Sequence, residues 1–276
     1  MPSPEPSWEI LVASTLRKPV DPAEIAAVAG RLGVRFPEGY EAFLTRYGKG
    51  SLSNWVRIKE PAEVERFTLW LRDFLREQIA GGRWFWDEDG VLPPSRAVEA
   101  VAFGDTVGGD TLIFHPDDPD VIYALPRHDD VVYRIGRGLA EALDWLFHSG
   151  ILTRPILCLL FEPDVDRDTQ SWQIDLPYEE VCRGLLALGL HDEVVNDGPK
   201  EEFFQVLVRE FGGTVTVTGD DMDDEVFTVV SKTVDGVEVD PDEVEPIDVT
   251  IERDPGPTTP NLRRLIAWLD QLEGED

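Results

Sequence analysis

The sequence predicts an α+β fold in two parts: an N-terminal antiparallel sheet packed with helices, then a second, smaller α+β domain. Three observations carry this. Tyr40, Phe43, Leu44 and Tyr47 recur at i, i+3, i+4 and i+7, the spacing of one helix face. From about residue 98, four short runs rich in β-branched and aromatic residues are separated by GDTVGGD, PDDPD and PRHDD, which is turn chemistry between antiparallel neighbours. Beyond residue 172, helical and strand-like patterns follow one another again.

Taken in order, residues 1–6 are Pro- and Ser-rich, and a short helix is expected from Trp8 to Arg17. Asp21-Pro22-Ala23-Glu24 is a helix start, with Asp21 as N-cap and Pro22 in the first turn. That helix carries Ile25, Val28, Ala29 and Leu32 on one face and stops at Gly33. Pro37 opens the aromatic helix, which Gly48 ends. Its stripe is read as core. Residues 52–58 read as a strand. Residues 61–80 are the longest helical pattern, with Val64, Phe67, Leu71, Phe74, Leu75 and Ile79 on one side. Four strands are expected at 98–103, 111–115, 121–125 and 131–135, then a helix over 138–149. Polar residues 163–172 suggest a boundary, giving domains 1–162 and 173–276. In the second, helices are expected near 178–188, 200–211 and 260–272, and strands near 214–218, 226–231 and 247–252.

The chain has 276 residues, which suits two domains, and its composition is that of a folded protein, 42% hydrophobic and 29% charged. Its net charge is −30. Residues 1–150 hold 24 acids and 16 bases, residues 151–276 hold 31 and 9. Such a charge repels nucleic-acid phosphate and anionic lipid and speeds encounter with basic proteins. It also serves solubility. The N-terminus lacks the pattern of a secretory signal, and no stretch reaches the length of a membrane span. Cys158 and Cys182 form no CxxC pair and sit in apolar runs, as buried, unbridged thiols do. A cytoplasmic location is expected.

Tests for chemistry return little. Gly108-Gly109-Asp110 lies between two strands, so it reads as a structural turn; a phosphate cradle would need a following helix and a nearby Lys. His128-Asp129 and His191-Asp192 lack further ligands, and the run Asp220–Glu225 lacks the spacing of a calcium loop. No metal, no cofactor and no catalytic residue are expected. Trp84, Trp86, Asp87, Glu88 and Asp89 form an aromatic and acidic segment suited to protein contact, although Trp84-Phe85-Trp86 could equally fill the core. Asp117, Asp118, Asp120, Asp129 and Asp130 are read as further contact acids, in the turns of the sheet.

Along the chain, Phe36, Pro37, Tyr40, Phe43, Leu44, Tyr47 and Gly50 precede Phe103, Gly104, Asp105, Gly108, Gly109 and Asp110, then Tyr123. A helix first and a strand meander with GGD at its corner later resembles the SMI1/KNR4 family, also called SUKH, over roughly residues 20 to 150. The long helix over 61–80 looks like an insertion, and the C-terminal half has no counterpart in the family pattern.

The resemblance implies a non-enzymatic binding role. Such domains occur mostly as bacterial immunity proteins that bind and neutralise a cognate toxin, often a nuclease; in fungi they act as regulatory adaptors. The expectation is an immunity protein whose partner is a protein toxin with a basic face, without direct nucleic-acid or membrane binding. An adaptor without a toxin, or an enzyme with its site in the C-terminal part, are the alternatives.

Overall fold

The structure is a computed structural model that describes residues 10–82, 91–153, 158–198, 203–219, 233–234, 237–238 and 247–274. The chain divides into two compact units, with the change from first to second between Asp164 and Val165; the short stretch Ala13–Thr15 goes with the second.

The first unit runs β1 (Ile10–Val12), α1 (Pro22–Leu32), α2 (Tyr40–Arg46), β2 (Gly50–Leu52), β3 (Val56–Ile58), α3 (Pro61–Ala80), α4 (Pro94–Ala97), β4 (Val101–Thr106), β5 (Thr111–His115), β6 (Asp118–Leu125), β7 (Tyr133–Arg137), α5 (Gly138–His148) and β8 (Leu159–Pro163). Its eight strands lie in the order β1-β8-β2-β3-β4-β5-β6-β7. From β8 to β7 every pair is antiparallel. The β1–β8 pair is parallel, with Ile10 opposite Leu159, so the sheet is mixed. The helix expected over 8–17 is therefore corrected: residues 10–12 are a strand.

Local chemistry explains the helices. Asp21 caps α1, its carboxylate accepting from the N–H of Ala23 at 2.8 Å, a device worth about 1 kcal/mol. The aromatic stripe of α2 is core: Tyr40, Phe43, Leu44 and Tyr47 are all buried. Tyr40 stacks on Phe36 at 4.3 Å and meets Phe103 edge-on, while Phe43 and Tyr47 pack on Phe161 of β8. Each such ring stabilises the fold by about 1.5–3 kcal/mol through burial. Tyr40 also donates its hydroxyl to the carbonyl of Lys59 at 2.8 Å.

The opposite face of the sheet is covered too. Leu71 and Leu75 of α3 and Ala97 of α4 close over Ala102, Ile113, Val121 and Tyr123. Strands buried on both faces explain why β4 and β5 read as near-continuous apolar runs rather than alternating ones.

The second unit comprises β9 (Asp168–Ile174), α6 (Tyr178–Ala187), β10 (Glu193–Gly198), β11 (Phe203–Val208), β12 (Gly213–Thr218), the two-residue strands β13 (Thr233–Val234) and β14 (Val237–Glu238), β15 (Ile247–Arg253) and α7 (Pro260–Glu273). An antiparallel sheet in the order β10-β11-β12-β15-β9 packs Trp172, Val206, Val215, Val249 and Ile251 against Val181, Leu185, Leu262, Leu265 and Leu269 of α6 and α7. The helix expected over 200–211 is corrected to a strand, β11, which pairs with β10 and β12. Residues 168–172, read as linker, belong to β9. The strand expected over 226–231 lies outside the described residues. The α+β class holds for both units. Cys182 is buried and Cys158 half-buried, and neither forms a disulfide.

Candidate functional site

The GGD corner joins β4 to β5. Thr106 N–H donates to the carbonyl of Asp110 at 3.0 Å, and Gly109 N–H to that of Thr106 at 3.0 Å. Gly109 sits at φ +93°, a conformation that other residues adopt only under strain. Gly108 has an ordinary φ, but a Cβ there would come within 3.0 Å of the Trp55 ring. Asp110 is buried. One carboxylate oxygen accepts from Thr106 Oγ1 at 2.5 Å, the other from the backbone N–H of Arg127 at 3.0 Å. Asp110 thus ties its own turn to the start of the β6–β7 loop. Both carboxylate oxygens of Asp110 are thus engaged within the chain.

Residues 19–145 match the SMI1 / KNR4 family (SUKH-1). This bears out the resemblance read from the sequence. The SMI1/KNR4 match takes in the elements from α1 to most of α5 and leaves out β1, β8 and the whole second unit. No curated protein matches the chain.

Among the described residues, the acids expected to face a partner do not form one group. Asp117 occupies the β5–β6 turn and is 80% exposed. Asp118 and Asp120, expected in that turn, are the first and third residues of β6. Asp118 pairs with Arg137 at 3.2 Å. Asp120 takes a two-pronged contact from Arg35 at 2.7 and 3.0 Å and accepts the N–H of Glu38 at 2.9 Å. The Arg35 guanidinium holds the Asp120 carboxyl below the usual carboxylate range. Both are committed to the chain's own cations, which arrive from distant sequence.

Asp129 and Asp130 are exposed in the loop after β6. Tyr133 donates its hydroxyl to Asp129, which pushes the phenol pKa up to about 12. Because β6 runs from Asp118 to Leu125, the two acidic turns lie at opposite ends of the sheet, about 25 Å apart. Trp84, Trp86, Asp87, Glu88 and Asp89 fall outside the described residues.

The sequence reading missed two features. On α3, Phe67 and Phe74 are not simply buried. They sandwich Trp70 in a ladder of near-parallel rings, 5.4 and 5.6 Å between centroids, and Trp70 is 55% exposed. Lys59 caps the ladder, its ammonium 4.7 Å from the Phe67 centroid and 2.7 Å from Asp105, which also pairs with Arg57. The signal was present: 67, 70 and 74 are spaced i, i+3, i+7, beside the stripe formed by 64, 68, 71 and 75.

The second feature is His115, buried at the end of β5. Its Nδ1 accepts from the N–H of Asp117 and faces the Arg96 guanidinium, each at 3.1 Å. Two donors at Nδ1 place the ring proton on Nε2, 3.6 Å from a Glu99 oxygen. Burial, then the charge of Arg96, lowers its pKa.

Among the described residues no three His, Cys, Asp or Glu side chains gather in a way that could hold a metal ion. Nor is any helix among them long and apolar enough to cross a membrane.

Proposed function

We propose that this chain acts by binding another protein without catalysis, as an immunity protein that occupies and neutralises a basic toxin in the cytoplasm. The observation that carries this reading is the SMI1/KNR4 match over residues 19–145. The net charge of −30 supports it independently. A nuclease must bind a polyanion, so its working face is basic, and an acidic protein competes for that face. Long-range attraction then sets the association rate. The proposed contacts are the exposed Asp117, Asp129 and Asp130, with Trp84, Trp86, Asp87, Glu88 and Asp89. Asp118 and Asp120 are engaged by Arg137 and Arg35 within the chain and are not counted among these contacts.

The test is co-expression with the toxin encoded beside its gene. Growth should be restored, and stopped-flow association should slow several-fold as ionic strength rises through the range where the Debye length shrinks from about 30 to about 3 Å. Absence of protection would overturn the immunity reading, and a flat salt dependence the steering. Turnover of a small molecule that a single side-chain replacement abolishes would overturn the non-catalytic reading altogether.

A further inference from the structure

An open groove of about 670 Å³ lies between α1 and α2. Its origin is in the sequence. The sides of the two helices that line it carry Ala26 and Ala29 on α1 and Ala42 and Thr45 on α2. These side chains are too small to fill the space between the helix axes, while Ile25 and Phe36 beneath them are buried. The segment between the helices forms one rim, and it is pinned at several points. Arg35 and the N–H of Glu38 are held by Asp120, and the carbonyl of Glu38 accepts from Leu139 N–H at 2.8 Å. Gly39 makes the turn at φ +88°, where a Cβ would come within 3.2 Å of Leu139. Phe36 is fixed by its stack on Tyr40. The groove is therefore preformed, and little ordering opposes an occupant.

Its charge selects the occupant. Three ionisable side chains line it: Arg35, Glu38 and Glu41. Asp120 pairs with Arg35, and these four side chains together carry a formal charge of −2. An anionic ligand would find no available cation, and a second copy of this chain would bring a further −30. A shape that lacks bulk and an acidic rim whose one cation, Arg35, is held by Asp120 call for apolar side chains flanked by Lys or Arg.

We infer that the α1–α2 groove is a docking site for an amphipathic, basic helical segment of the protein partner, with apolar side chains between Ala29 and Ala42 and cations along the acidic rim at Glu41. This rests on the protein-binding reading above and gives that reading a location. It also changes the role of Asp120 from a contact acid to a positioning residue of the groove rim.

The test uses the full chain and a fluorescein-labelled helical peptide of Leu and Lys in amphipathic order, with Leu/Glu and Ser/Lys peptides as controls. Binding is followed by anisotropy and mapped by amide chemical shifts. The Leu/Lys peptide should perturb Ala26, Ala29, Ala42 and Thr45, and the controls should not. Ala26→Trp with Ala42→Trp fills the groove from exposed positions without changing charge, and should weaken binding at least tenfold. Glu38→Gln with Glu41→Gln should weaken it several-fold without filling the groove. Circular dichroism checks that both pairs fold. Binding that maps elsewhere, or that neither pair alters, overturns the inference. A toxin neutralised equally by wild type and by the filled-groove variant also overturns it, while leaving the immunity reading standing.

Discussion

The carboxylate of Asp110 accepts the backbone N–H of Arg127 at 3.0 Å across a separation of 17 residues. A side chain in one hairpin turn thereby fixes the entry to the next loop. The same carboxylate holds the Thr106 hydroxyl at 2.5 Å, so the strands β4, β5 and β6 are tied at one end. Asp110→Ala leaves both donors without their acceptor and should cost about 2–3 kcal/mol, in line with hydrogen bonds to charged groups. Asp110→Asn retains one acceptor and should cost about half as much. Urea denaturation of the two variants checks both values.

Gly109→Ala should destabilise by about 1–2 kcal/mol, because a residue with a Cβ is held at φ +93°. The new methyl would also meet the Arg127 side chain at 2.7 Å, but that chain can move aside. Thermal and urea midpoints of this variant should shift without loss of secondary structure. A neutral effect would mean that the corner is not held in the left-handed region.

Asp120 has a folded pKa below its unfolded value. Its contribution is complete above the ordinary Asp range, about pH 4, and is lost as pH falls through the lower folded value. Asp120→Asn should cost about 1–2 kcal/mol at pH 7, the figure reduced because Arg35 is largely exposed. The gap between wild type and variant should close on acidification. Urea midpoints from neutral to strongly acid pH give the comparison.

His115 also has a folded pKa below its unfolded value, but in a different window. The neutral ring is favoured in the fold, so stability is full above about pH 6.5 and declines as pH falls towards the lower folded value. Glu99 and Asp117 pull the other way and soften the decline. His115→Asn keeps an acceptor near the place of Nδ1 and carries no titrating group. Its stability should depend less on pH between 7 and 5 than that of the wild type.

Elements with local signals were legible in the sequence. Asp21, Pro22 and Gly33 bound α1, and the period-3.6 stripe of Tyr40, Phe43, Leu44 and Tyr47 defines the buried face of α2. Non-local elements were not. Ile10–Val12 is three apolar residues, a length at which helix and strand look alike, and only the distant β8 makes it a strand. FFQVLV of β11 fails for a similar reason: five apolar residues around a single Gln205 show no period to read. The acids illustrate the limit for the site. PDDPD reads as a solvated turn, yet Arg35 and Arg137 reach Asp120 and Asp118 from sequence positions 85 and 19 residues away. The groove was hidden for a similar reason, since Ala26, Ala29, Ala42 and Thr45 become informative only once their helices are neighbours.

The parallel pairing of Ile10–Val12 with Leu159–Phe161 has a practical outcome for anyone dissecting the molecule. Cutting at the limits of the family match, 19 and 145, would strip away two strands and part of α5. It would leave Gly50–Leu52 as a bare edge and uncover Phe43 and Tyr47, which rest on Phe161. Such a fragment should be sticky and poorly behaved. A piece spanning 10–164 keeps the staves of the sheet together and should stay dispersed, because the fold's true perimeter is wider than the stretch by which its kinship is recognised.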